Sequence, residues 1–237
     1  MSSFFITGTD TDAGKTVLTA LLLAALNQRG CNALPMKPAQ SGCTNNIPDL
    51  DYALALSGIQ TDPDLKALLA PACYTPACSP HLAAEMENRP LTLQHLVDAY
   101  HALRPQAETL LVEGAGGALV PLNREETMLD LMTELQLPIL IAARPGLGTI
   151  NHTLLTIKAL HQRNLRIAGF VFIHTRLDGS DFTEPDNART IAEFGQTPWL
   201  GTIPYITELD TPNPKPFSEL PAALQTLTQD ILEKILP

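Results

Sequence analysis

The sequence predicts an α/β fold in which a doubly wound, mostly parallel sheet is flanked by helices. Three observations carry that expectation. Short apolar and β-branched runs alternate with longer segments of helical periodicity, as parallel strands joined by crossover helices do. Several of the short runs are apolar throughout, the pattern of strands covered on both faces. The first of them passes through a glycine-containing turn directly into an apolar helical segment.

In chain order, the strand runs fall at residues 4–7, 33–36, 109–113, 138–143, 167–173 and 200–203. Helical periodicity predicts helices over 15–29, 91–103, 149–163 and 218–236, with a short one near 51–56. In the terminal helix Leu220, Leu224, Leu227, Ile231 and Ile235 recur at three- and four-residue spacing, a stripe suited to packing on the sheet. The stretch 41–80 breaks the alternation with Gly, Pro and Asn clusters and reads as a long irregular excursion over the active face. A second proline-rich stretch, 211–221, leads into the last helix.

The 237 residues suit a single domain spanning 1–237 and are short for two. With 45% hydrophobic and 17% charged residues, the chain has globular composition. A formal net charge of -10 and the lack of any basic run argue against nucleic acid as a partner. The longest apolar stretch, 17–26, is too short to span a bilayer, and no basic leader precedes it, so a cytoplasmic protein without a membrane partner is expected. The four cysteines show no CxxC pair and read as reduced thiols. The six histidines show no HxxH or HExxH spacing, which argues against zinc.

Gly8-Thr-Asp-Thr-Asp-Ala-Gly14-Lys15-Thr16 lies between the first strand and the first helix, the setting of a phosphate-binding loop. Backbone N–H groups around Gly14, the helix dipole and Lys15 attract phosphate, and the Thr16 hydroxyl can ligate magnesium. Asp12, Ala13 and Val17 complete the segment expected to surround the nucleotide. Five residues separate Gly8 from Gly14, one more than the usual spacing, which marks a subclass.

A magnesium ion on the phosphates takes further oxygen ligands. Glu113, at the end of an apolar strand and followed by Gly114-Ala115-Gly116-Gly117, stands where one is expected. The glycines, Gly116 among them, let the backbone approach a ligand. Asp51, with Asp49 two residues before it, suits metal ligation and helix capping equally. Lys37 and Ser41 follow the second strand and therefore face the same sheet edge as the loop. A second cation beside the γ-phosphate suits a reaction that builds negative charge there, although a solvated loop lysine would occupy the same position. Gly146-Leu147-Gly148-Thr149-Ile150-Asn151-His152 opens a helix, either as an anion site or as an ordinary glycine turn with a cap.

Taken together these motifs resemble one family, the dethiobiotin synthetases, ATP-dependent enzymes of biotin synthesis. The resemblance runs through Thr7–Thr16, Lys37-Pro38, Ser41-Gly42, Ser79-Pro80-His81, Val112–Gly117, Pro121-Leu122, Gly146–His152 and Gly201-Thr202-Ile203-Pro204. It implies a P-loop NTPase-like fold and a homodimer. The implied reaction is magnesium-dependent closure of a cyclic urea on 7,8-diaminopelargonic acid with carbon dioxide and ATP. One amine captures carbon dioxide as a carbamate, ATP phosphorylates it, and the second amine expels phosphate. By the same resemblance Lys15 and Lys37 hold the carbamate with Thr11 and Ser41, and Thr16, Asp51 and Glu113 ligate magnesium, with Asp49 as the alternative to Asp51. Thr149, Ile150 and Asn151 would bind the substrate carboxylate across the dimer interface, which makes the dimer part of the active site.

The family often carries an Asn after the fifth strand that reads adenine, whereas Ile173 or His174 stands there in this chain. Groups near Pro204 and Tyr205 are then expected to help read the base, and other nucleoside triphosphates stay open as co-substrates. Two competing classes share the strand, loop and helix. A regulatory ATPase of the partitioning type is disfavoured by the acidic charge and the lack of a basic amphipathic tail. A cobyrinate-type amidoligase is disfavoured by the lack of a glutaminase domain.

Overall fold

The computed structural model describes residues 3–177 and 182–236. Its main sheet contains β1 (Phe4–Gly8), β2 (Ala33–Met36), β5 (Thr109–Gly117), β6 (Ile139–Ala143), β7 (Ile167–Ile173) and β8 (Trp199–Ile203). They pair in parallel in the order β2-β5-β1-β6-β7-β8. The six expected strands are thus all present, with ends shifted by a few residues. The largest shift is in β5, whose glycines continue the strand beside the phosphate loop, Gly117 pairing with Gly8. Two backbones meet closely there because neither carries a side chain.

The continuous apolar runs divide by parity. Phe5, Val112, Ile141, Phe170 and Phe172 enter one core, and Phe4, Ile6, Leu111, Leu140 and Val171 enter the other. Side chains two apart share a face, so each strand feeds both layers. The second layer is covered by α1 (Lys15–Gln28), α2 (Pro48–Ser57) and α9 (Ala222–Ile235). Helix α1 is buried from Leu18 to Leu26 because the sheet, α2 and α9 all pack on it. That burial explains its unbroken apolar run. In α9 the expected stripe holds, with Leu224, Ile231 and Ile235 buried against α1 and β8. The first layer is covered by α5 (Leu93–Leu103), α6 (Met128–Leu135), α7 (Thr149–Gln162) and α8 (Glu184–Gly195). Among the described residues no helix is long and apolar enough to cross a membrane.

The stretch 41–80 corrects the expectation of an irregular excursion. It holds α2, α3 (Pro63–Leu69), β4 (Ala72–Tyr74) and the first residue of α4 (Pro80–Met86). Strand β4 pairs in parallel with β3 (Ala39–Ser41) as a small second sheet. Its prolines mislead the sequence reading because Pro48, Pro63 and Pro80 each occupy the start of a helix. There the missing N–H costs nothing and the fixed φ suits the first turn. Helices α6 and α8 were also not expected. Thr127 and Asp130 form a reciprocal capping box at the start of α6, a signal present in the sequence.

Candidate active site

The phosphate-binding loop is shaped by two close approaches. A Cβ on Gly8 would lie 2.9 Å from the Asp10 carbonyl oxygen. Gly14 caps α1 at φ 87°, and a Cβ there would lie 2.5 Å from Ile173 Cγ2. Both positions require glycine. No side chain caps α1, so the N–H groups of its first turn are left for an anion. Asp12 adopts φ 56° within the lengthened loop. The Lys15 ammonium donates to the Asp10 carbonyl at 2.9 Å, and Arg144 pairs with the Asp10 carboxylate at 3.2 Å. The loop is therefore tied by cations on both sides.

Behind the loop, four side chains form one charged chain. The Thr16 hydroxyl donates to Glu113 Oε1 at 2.8 Å, and Lys37 Nζ donates to the same oxygen at 2.7 Å. Lys37 also reaches the Gly114 carbonyl at 3.3 Å and pairs with Asp49 at 2.5 Å. Glu113 and Lys37 are buried, 2% and 4% exposed, so Lys37 is not the solvated loop lysine that sequence alone left open.

Burial pulls the Lys15 ammonium below its ordinary pKa, and the neighbouring Lys37 charge pushes the same way. Burial also disfavours the Lys37 charge, but the Glu113 and Asp49 carboxylates outweigh it and hold that ammonium above its ordinary value. Asp49 answers in kind: burial would raise its pKa, and the attraction of Lys37 instead lowers it. At neutral pH the cleft thus presents a firmly charged Lys37 beside a Lys15 that gives up its proton more readily.

Asp51 faces another way. Its Oδ2 accepts from the Ile47 N–H at 2.8 Å and its Oδ1 pairs with Lys66 at 2.5 Å. It borders a side recess of about 460 Å³ together with Thr16 and Asp49.

A cleft of about 1010 Å³ opens over the carboxyl ends of the strands. Thr11, Asp12, Gly14, Lys15, Thr16 and Val17 line it from the loop. Lys37, Ser41 and Asp49 line one flank, and Gly116 another. His174, Pro204 and Tyr205 line it as well. Ala13 is buried beneath the loop and Glu113 lies behind Thr16 and Lys37, so these two shape the cleft without lining it. Thr149, Ile150 and Asn151 lie outside the cleft of their own chain. Thr149 is buried and shares a hydrogen bond with Thr153 at 3.4 Å, whereas Asn151 is exposed.

Sequence reasoning did not single out Arg144, Gln40 or Glu184. Arg144 and Gln40 line the cleft. Arg144 immediately follows an expected strand, which is signal enough to have found it. Glu184 gives no such signal. It reaches His174 only because the start of α8 folds over the ends of β7 and β8.

A family model described as an AAA domain matches residues 2–213. The chain is 39% identical over 219 residues to the ATP-dependent dethiobiotin synthetase BioD of Halalkalibacterium halodurans, covering 88% of this chain and 87% of that one. It is 40% identical over 215 residues to the protein of the same name from Novosphingobium aromaticivorans, covering 90% and 92%. Among solved structures, the MinC:MinD cell division complex of Aquifex aeolicus aligns with a TM-score of 0.65 at 16% identity, covering 100% of this chain and 98% of that one. A ParA family ATPase from Chlorobium tepidum aligns at 0.62 and 14% identity, covering 98% of both chains. At such low identity these structures establish the fold alone.

Proposed function

Because the chain belongs to the family of ATP-dependent dethiobiotin synthetases, we propose that its cleft closes the cyclic urea of dethiobiotin. The reactants are 7,8-diaminopelargonic acid, carbon dioxide and ATP, with magnesium, and the other products are ADP and phosphate. One observation carries the reading beyond nucleotide binding: a second buried cation, Lys37, shares the cleft with Lys15 of the phosphate loop.

In the first step one amine forms an N–C bond to carbon dioxide and loses a proton, leaving a carbamate. A carbamate oxygen then displaces ADP at the γ-phosphorus to give a carbamic-phosphoric anhydride. The second amine attacks the carbonyl carbon, expels phosphate and loses its proton as the ring closes. Lys15 and Lys37 stabilise the carbamate and the charge that spreads over the transferring group. Thr11 and Ser41 line the same cleft and orient the carbamate through their hydroxyls. Ring closure needs chiefly that both amines be held close, which favours a preformed cleft.

Thr16 and Glu113, already hydrogen-bonded, offer oxygen donors of the hard type that magnesium prefers and would hold it there. Bound there, magnesium supplies charge neutralisation at the phosphate oxygens. Two observations support Asp49 over Asp51 as the additional carboxylate: Asp49 lines the cleft, and both Asp51 oxygens are engaged by Ile47 and Lys66.

The working unit is proposed to be a homodimer of single-domain chains, each domain spanning 1–237, in which Thr149, Ile150 and Asn151 of each chain serve the substrate carboxylate of the other. Their position outside their own cleft supports this, as do the exposed Leu147 and Leu155 on the same loop and helix. A cytoplasmic setting suits four cysteines that are all free.

The direct test mixes protein, magnesium, ATP, bicarbonate and the diamine. Diamine-dependent ADP together with a ureido product is the expected result. Absence of both overturns the reading.

A further inference from the structure

Cations meet the phosphate loop from both sides of β1, and one of them takes no part in the reaction described above. Lys37 and Glu113 come from β2 and β5, on one side, whereas Arg144 directly follows β6, on the other. Strand β6 runs beside β1 with Ala142 opposite Gly8, and the Thr9 N–H donates to the Ala142 carbonyl at 3.0 Å. Arg144 therefore leaves the sheet next to the loop, and it lines the cleft together with Thr11 and Lys15. Asp10 holds two cations at once: its carbonyl accepts from Lys15 at 2.9 Å and its carboxylate pairs with Arg144 at 3.2 Å.

We propose that Arg144 is a further catalytic residue, which leaves Asp10 to hydrogen-bond the γ-phosphoryl group as that group passes from ATP to the carbamate. The Arg144 and Asp10 side chains are 47% and 56% exposed, and an ion pair so open to water is weakly held. An anion of higher charge displaces it at small cost. Phosphate is such an anion, and the planar guanidinium matches its oxygens with paired N–H donors. Arginine carries five such donors, and among the described residues a single one is engaged, by Asp10. Lys37, by contrast, is already shared between Glu113 and Asp49. As the carbamate oxygen bonds to the γ-phosphorus, the bond to the β–γ bridging oxygen breaks and ADP departs with that electron pair. Charge spreads over the three equatorial oxygens. Lys37 meets it from the β2 side, Lys15 from the loop and Arg144 from the β6 side. Arginine stays protonated throughout, so its contribution to this step is electrostatic and moves no proton.

The inference rests on the reading of the cleft as the site of urea closure, and its test separates the two. ADP formation is followed in a single turnover, with the whole protein in excess over Mg-ATP and with bicarbonate and diamine saturating. In Arg144→Ala the rate is expected to fall about a hundredfold, the loss typical of one donor aimed at a developing charge. The diamine concentration for half-maximal rate should stay within about threefold, because the contact is made in the transition state. Asp10→Asn breaks the same ion pair but keeps the carbonyl for Lys15 and an acceptor for the Thr11 N–H. Its loss should be at least about tenfold smaller than that of Arg144→Ala, since the guanidinium remains. Equal losses in the two variants overturn the proposal and make Arg144 a tie for the loop. A loss that takes the form of a raised diamine requirement overturns it in favour of the substrate carboxylate. If Arg144→Ala does not fold, Arg144→Gln carries the same expectations. Absence of diamine-dependent ADP in the wild type overturns the reaction reading itself. Diamine-dependent ADP that falls less than about tenfold without the guanidinium overturns this inference alone.

Discussion

At the scale of single residues, Lys37 is the pivot of the site. It neutralises Glu113 and Asp49 at once, so its removal has two separable consequences. Lys37→Ala is expected to lower kcat by about two to three orders of magnitude, the typical loss for one charge-stabilising donor. The Kd for Mg-ATP should change only a few-fold, because Lys15 and the loop remain. Calorimetry and steady-state rates on one preparation check both. Unchanged turnover removes Lys37 from the mechanism. The same variant leaves buried carboxylates uncompensated, and urea unfolding should show a loss of about 3–5 kcal/mol. Lys15 offers a pH test. Its pKa is lowered, first by burial and then by Lys37, so its charge is lost before ordinary lysines lose theirs. Affinity for Mg-ATP should be full on the acid side and decline as pH rises through that lowered value, beginning below 10.5. Lys15→Arg should abolish the decline. An identical pH profile in that variant would assign it to another group.

At the scale of elements, α2 carries two aspartates with different work. Asp51 binds the Ile47 N–H before the helix and pairs with Lys66 of α3, whereas Asp49 points into the cleft. Asp49→Asn is expected to raise the magnesium concentration needed for half-maximal activity about tenfold, one lost charged ligand being worth of the order of 1.4 kcal/mol or more. Asp51→Asn is expected to leave that requirement alone and to cost about 1 kcal/mol of stability as a weakened cap. The reverse pattern in a magnesium titration would return the metal to Asp51. The junction of β1 and α1 is equally testable. Gly14→Ala should abolish nucleotide binding, since its Cβ would collide with Ile173 at 2.5 Å and its φ of 87° disfavours any side chain.

At the scale of the whole molecule, the proposed dimer completes each site with residues of the other chain. Two inactive variants, Lys37→Ala and Asn151→Ala, then carry complementary lesions. Mixed after unfolding and joint refolding, half the dimers are heterodimers in which one site collects both defects and the other none. Activity should return to roughly a quarter of wild type. No recovery on mixing would place Asn151 in the site of its own chain.

The alternation of apolar runs and helices determined the main sheet by itself, because strands covered on both faces must be apolar along their length. The phosphate loop, Lys37 and Glu113 were equally legible as neighbours, since each lies at or just past the end of an expected strand and the carboxyl ends of parallel strands converge. What sequence reading could not reach depends on contacts between segments distant in the chain. Pro48, Pro63 and Pro80 looked like breaks and are helix starts, a distinction set by whether a turn of helix follows and finds something to pack against. Asp49 and Asp51 sit two apart in sequence and were interchangeable there. Only the fold turned one toward Lys37 and the other toward Lys66. Sequence reading placed Ile173 or His174 where the family often has its adenine-reading Asn. Glu184, from a helix ten residues on, reaches both His174 and Thr202 of the next strand only through the fold. Local pattern fixes where strands and loops lie, but a side chain's charge and partner are decided by what the tertiary structure brings within hydrogen-bond reach.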